Sequence, residues 1–354
     1  MKDNQHWIPQ HYLKGFTAAT RFVHRLDLTN LEKIGLTHGP WRKFKQYNSI
    51  AGICCENNYY GPEVDQQIKP VECSLFPKIT KVRESGQIGN DLEDLWVMRV
   101  YTMFMHFRNP QTINHTRTLA TTRMQEGLIE IAKLIPEALP QAEVAFRTKE
   151  LYAAQEVCMS VFEESADYIS DLKIKLLEAP LDTNFITSDR PVLPTNQALQ
   201  EKYKGSIRGM AIVGSQIFFP ISSRYCLFFY DSGAYRVRRH DQPNTILISP
   251  EDVRALNRMQ FLNAAGMVLY ESASSDPEIA SLVIHNLNER AKLKKEGDIP
   301  TYNHAYKVRH PKLKRVTVPH SLSFCKKKPL QHEDKIVLRC NTQRLNLLNK
   351  ISHK

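Results

Sequence analysis

Residues 184–193 read Asn-Phe-Ile-Thr-Ser-Asp-Arg-Pro-Val-Leu, and this stretch limits the folding choices of the 354-residue chain more than any other. Phe185 and Ile186 make a short apolar strand, and polarity then arrives together in Thr187, Ser188 and Asp189. Pro191 stops the ladder, because proline has no N–H and holds the residue before it extended. It also removes the local partner of Asp189, since an Asx-turn would need the N–H of residue 191. A carboxylate at the end of a buried strand must then find a distant donor, a water or a metal. Asp189 is therefore the leading site candidate. Thr187 and Ser188 stand beside it as nucleophiles only where a histidine lies within reach.

Around this stretch the apolar spacing changes period several times. The start, from Gln5 to Phe16, carries Trp7, Tyr12, Leu13 and Phe16 and is expected to dock rather than fray. Phe22 to Leu28 alternates as a half-buried strand does. From Asn90, residues Leu92, Leu95, Trp96, Val100, Met103, Phe104 and Phe107 share one helical face, and Pro110 ends the helix. Arg108 then sits in the last turn, where the helix dipole favours a cation; it can equally pair with Asp189 or clamp an anion. Further helices are expected over 116–134 and 142–177. Strands return at 185–187, 212–220, 224–231 and 234–238, the last two joined by Ser232-Gly233 as a hairpin. Ser249-Pro250-Glu251-Asp252 opens a helix whose face runs Val253, Leu256, Gln260, Asn263, Met267 and Tyr270, and another helix covers 277–295. The expected fold is α+β: a mostly antiparallel sheet from both chain ends, with a helical block of about residues 90–180 packed beside it.

The net charge of +11 is not spread evenly. Residues 307–354 hold 13 Lys and Arg against Glu333 and Asp334, which accounts for all of it; residues 1–306 balance 35 bases with 35 acids. The chain is thus expected to be one globular body, 1–306, followed by a basic extension, 307–354. Lys312, Lys314 and Arg315, then Lys326, Lys327 and Lys328, form the clusters that suit a phosphate backbone. No recognised base-reading motif accompanies them. No apolar run approaches the ~18 residues of a membrane span and the first twenty residues carry no hydrophobic signal segment, so a cytoplasmic protein without membrane contact is expected. Seven cysteines, irregularly spaced, read as reduced thiols. Phosphate-binding, dinucleotide-binding, zincin and nucleophile-elbow motifs are all absent. His6 and His11, five apart across Pro9, fit no helical metal spacing, and Glu56 follows the vicinal pair Cys54-Cys55.

Two ordered patterns, His6-x-x-Pro9-x-x-Tyr12-Leu13-x-x-Phe16 and Phe185-Ile186-Thr187-Ser188-Asp189-x-Pro191-Val192, resemble an uncharacterised, mainly bacterial family, domain of unknown function 4238. Glu56 before Tyr59-Tyr60, Arg108-x-Pro110, Phe219-Pro220-Ile221-Ser222 and Asn263 add to the likeness, which spans about residues 5–272. The resemblance implies that His6, Glu56, Arg108, Asp189 and Asn263 share one site, with the N-terminal segment docked beside the strand ending at Asp189. On that grouping the leading expectation is a metal-assisted phosphodiester hydrolase acting on nucleic acid. Asp189 and Glu56 would hold a divalent Mg or Mn ion, His6 would serve as base or ligand, Arg108 would hold phosphate, and Thr187, Ser188 and Asn263 would support them. Two other classes compete: a non-catalytic nucleic-acid or protein binding module whose polar cluster is structural, and a small-molecule enzyme.

Overall fold

The structure, a computed structural model, describes residues 4–18, 20–34, 41–200, 210–238, 244–297, 322–329 and 339. The N-terminal part supplies β1 (Asn4–His6), α1 (Gln10–Leu13), β2 (Phe22–Asp27), α2 (Leu28–Ile34), β3 (Lys45–Ser49) and β4 (Cys55–Asn57). Long helices follow: α3 (Gly61–Ser85), α4 (Leu92–Arg108), α5 (Pro110–Leu134) and α6 (Leu139–Ser165). Then come β5 (Lys173–Glu178), β6 (Thr187–Ser188), β7 (Leu193–Thr195), β8 (Gln216–Pro220), β9 (Tyr225–Tyr230), β10 (Tyr235–Val237) and β11 (Thr245–Leu247). The chain closes with α7 (Pro250–Asn263), β12 (Met267–Tyr270), α8 (Asp276–Gly297) and β13 (Cys325–Lys327).

One sheet runs β11-β5-β9-β8-β7, antiparallel except where β11 lies parallel to β5. Its central strands β8 and β9 are buried almost without alternation because both faces are covered, which removes any polar-out side. In β9, Leu227 and Phe229 face a core shared with α3, α4 and α6, while Cys226 and Phe228 face a second core shared with α7 and α8. A second sheet, β3-β2-β12-β6, is antiparallel throughout, with His24 opposite both Tyr47 and Tyr270. Two short pairs, β1–β4 and β10–β13, complete the strands. The fold is α+β with antiparallel pairing dominant, as expected, and the helical block lies against the five-stranded sheet. No helix of the described residues is long and apolar enough to cross a membrane.

Several boundaries differ from the expectation, each for a physical reason. The helix expected over 142–177 stops at Ser165, and Lys173–Glu178 becomes a strand because it pairs with β9 along its whole length. The strand expected at Phe185 begins only at Thr187. The apolar face drawn from Val253 to Tyr270 breaks at Asn263: Gly266 follows in a turn where a Cβ would come within 2.8 Å of Thr29 Oγ1, and Met267–Tyr270 is β12. Ser232-Gly233 does turn the chain, with the Asp231 carbonyl accepting from the Tyr235 N–H at 3.0 Å. It makes no hairpin, however, because β9 already has β5 and β8 as neighbours and β10 pairs with β13 instead.

Part of the basic C-terminal stretch belongs to the body. Leu322, Phe324 and Cys325 are buried in the second core, the Phe324 ring meets Phe228 edge-on at 5.5 Å, and the Ser323 N–H donates to Asp252. Arg339 reaches Asp171 and three backbone carbonyls. Lys312, Lys314 and Arg315 lie outside the described residues. Phe324→Ala should therefore cost about 3–5 kcal/mol, the usual penalty for deleting a buried aromatic. Denaturant melting of the full chain reads this directly, and a loss under about 1 kcal/mol would mean that the segment is only loosely attached.

Candidate functional site

The 184–190 stretch is tied to several parts of the molecule, helix α7 above all. The Phe185 N–H donates to Ser223 O, and the Ile186 N–H to Asn257 Oδ1, whose own amide donates back to Asn184 O. Thr187 Oγ1 lies 2.6 Å from the Tyr12 hydroxyl, which donates to Pro220 O, also at 2.6 Å; a phenol has one proton, so it accepts from Thr187. Ser188 Oγ accepts from the Arg190 N–H and from Gln260 Nε2. Gln260 and Asn263 both donate to Arg190 O at 2.9 Å. The two amides on the α7 face thus hold this loop.

Asp189 finds the distant donors its sequence context demands. Its two oxygens accept the N–H groups of Ala265 and Gly266, at 2.7 and 2.6 Å. The same turn is held from its other side by Arg290 of α8, which donates to the carbonyls of Phe261, Ala264 and Ala265 and pairs with Glu32. These are carbonyls that a helix C-terminus leaves without partners. Acid and guanidinium together clamp the α7–β12 turn. Burial pushes the Asp189 carboxyl up, and the two N–H donors and Arg290 oppose the shift without cancelling it. Burial likewise lowers Arg290, against Glu32 and Asp189.

Arg108 is the centre of a second, separate cluster. It donates to Tyr60 OH at 3.0 Å and to His6 O at 2.6 Å, pairs with Glu72, and lies over the rings of Phe104 and Tyr60. Burial works against its charge, and Tyr60 and Glu72 more than offset this, so its pKa is raised. A third arginine, the partly buried Arg83 of α3, spreads over Ile221 O, His11 O and Tyr12 O. Gly15 is needed beside it, because a Cβ there would sit 2.5 Å from Ile221 O.

The expected site is thus divided. Thr187, Ser188, Asp189 and Asn263 come together around the α7–β12 turn, whereas Arg108 takes the backbone of His6 and not the Asp189 carboxylate. His6 is half-buried; its Nε2 is shielded and has no hydrogen-bond partner, and burial, with Arg108 adding to it, lowers its pKa. Glu56 is exposed on β4, opposite Gln5. Asp189 and Glu56 make a poor ligand pair for a divalent metal: the Asp189 carboxylate is buried with a backbone N–H on each oxygen, whereas Glu56 is exposed. Among the described residues no group of three His, Cys, Asp or Glu is arranged to hold one. Arg83, which holds the N-terminal segment, gave no sequence signal, and Arg290, which holds the α7–β12 turn, gave none beyond a cation on a helix.

Fold and site together define an α+β protein in which buried arginines and one carboxylate hold loop backbone. The chain belongs to the family described as Protein of unknown function (DUF4238), whose model matches residues 4–274. Arg290 and β13 lie beyond the matched part. No curated protein and no solved structure shows significant similarity to the chain.

Two measurements test the structural reading of these groups. Asp189→Asn turns one acceptor into an NH2 facing a backbone N–H and should cost about 1–3 kcal/mol, the penalty for one buried unsatisfied group. Asp189→Ala leaves the N–H groups of both Ala265 and Gly266 without a partner and should cost about 2–6 kcal/mol by chemical denaturation. His11, stacked 4.3 Å from Phe76 and bonded to Thr80 Oγ1, has a pKa lowered to about 3 by burial and by Arg83 and Lys14. The unfolded chain then binds a proton that the folded chain refuses. Stability from this group is full above the unfolded value near 6.5 and is lost as pH falls from there towards 3. His11→Gln should flatten melting temperature against pH across that window.

Proposed function

We propose that the protein is a non-catalytic, cytoplasmic nucleic-acid-binding module that takes the phosphate backbone on the β10–β13 ribbon. The polar residues of the family pattern serve the fold in this reading, and binding belongs to the surface. One observation carries it: Arg236 of β10 lies directly opposite Lys326 of β13, and both are exposed. Like charges opposed across a ribbon are unfavourable by themselves. Arg238 and Lys328 extend the same side, since side chains two apart share a face and the ladder continues through Arg238 N–H to Phe324 O and Lys328 N–H to Ala234 O. An array of this kind is relieved by an anion with regularly spaced charges, and a phosphate backbone supplies one while releasing its counterions.

A metal-assisted hydrolase at Asp189, the leading expectation from sequence, has less support, because that carboxylate is occupied by backbone donors. The binding reading is tested by removing charge from the ribbon. The full chain should bind a short duplex with affinity that falls steeply with salt. Arg236→Ala with Lys326→Ala should weaken binding and flatten the slope of log affinity against log salt by about 1 for each charge removed. An unchanged slope would move the contact elsewhere, and absence of any salt-dependent binding by the full chain would overturn the reading.

A further inference from the structure

We infer that the outer edge of the four-stranded sheet is a stacking platform for the bases of a single-stranded nucleic acid, a proposal that rests on the nucleic-acid reading above. β3 is an edge strand, and its residues Lys45, Tyr47 and Ser49 share a side with Phe22 and His24 of β2. Tyr47 stacks on Phe22 with ring centroids 5.2 Å apart, and it meets His24 at 4.8 Å; His24 in turn stacks on Tyr270 at 5.3 Å. The inner end of this row is closed, with Tyr270 buried and its hydroxyl on Asp276. The outer end is open: Phe22 is 42% and Tyr47 54% exposed. Soluble proteins usually blunt an edge strand with charge, not with paired aromatic rings left in water.

The charge around the rings identifies the occupant. No acid occurs between Glu32 and Glu56, while Arg42, Lys43 and Lys45 lead directly into Tyr47. Arg42 and Lys43 are exposed. Three acids on the neighbouring elements are already engaged: Asp276 with Lys45, Asp27 with Arg25, and Glu271 with the Ala18 N–H. Open aromatic faces flanked by cations, with local acids neutralised, match a strand that offers π-faces and phosphates alternately. A duplex keeps its bases stacked inside and offers only its backbone and groove edges, so a ring on a sheet edge gains nothing from it. The ladder behind Tyr47 holds the ring in place before binding, which lowers the ordering cost.

The test compares a thymidine 12-mer with an abasic 12-mer of equal charge, by fluorescence anisotropy on the full chain at fixed salt. The wild-type chain should bind the thymidine strand about tenfold tighter, within the range expected when one base stacks on one ring. Tyr47→Ala should bring the ratio near one while leaving abasic affinity unchanged, and Tyr47→Phe should keep it. Arg236→Ala with Lys326→Ala should weaken both strands alike. Equal binding of the two strands by the wild-type chain, or a ratio untouched by Tyr47→Ala, would overturn the platform and leave the ribbon standing. Failure of every probe to bind would overturn both.

Discussion

A single buried phenol joins the parts of this molecule that sequence separates most widely. Tyr12 comes from the N-terminal segment, Thr187 from the four-stranded sheet and Pro220 from the end of β8 in the five-stranded sheet, and one hydroxyl serves both bonds. The hydroxyl is fully buried, so neither bond can be exchanged for water, and losing one partner leaves the group unsatisfied at full cost. Arg83 closes the same junction through the carbonyls of His11, Tyr12 and Ile221. The relative position of the two sheets is fixed by these few polar contacts. The apolar cores on either side give most of the burial but are tolerant of small shifts, whereas hydrogen-bond geometry is not.

The chemistry of the buried charges follows one rule. Arg83, Arg290 and Asp189 each face main chain, so each charge is met by dipoles of fixed position, and Arg108 adds an ion pair to such a contact. A guanidinium suits this use because its five donors stay planar and charged when desolvated. A catalytic carboxylate must be reached by the reacting group, and Asp189 is buried with a backbone N–H held on each oxygen. Of the residues that mark the family, Tyr12, Arg108, Thr187, Ser188, Asp189 and Asn263 are thereby accounted for by loop placement.

The sequence was a good guide where one local rule decided the outcome and a poor one where partners did. The stripe from Leu92 to Phe107 and the start at Ser249-Pro250 are local, and α4 and the beginning of α7 stand where the sequence put them. Helix α3 was not legible because Pro70 and Pro77 interrupt it. They lie two turns apart on one exposed stripe, so the carbonyls that they orphan, at Gln66 and Cys73, face water. Strands β5 and β12 were read as helix because a short apolar run has no decisive period of its own; pairing with β9 and β2 decides it. Asp189 was recognised as needing a distant partner, but Ala265 and Gly266 could not be named, since any turn brought near would serve. The division of the expected site into an Arg108 cluster and an Asp189 cluster is likewise a property of the assembled layers.

Helices α5 and α6 leave the body as an antiparallel pair, and among the described side chains from residue 114 to 144 none is buried. That length gains little from either core, so its stability approaches that of an isolated helical hairpin, where nucleation is costly and packing is one-sided. It forms a cooperative unit of its own at the low end of the stability scale. Amide protons along this arm should exchange through local opening while those of β8 and β9 wait for global unfolding. A protease would therefore cut the pair near Pro136 long before it reached the sheets, leaving a nicked chain with both cores intact.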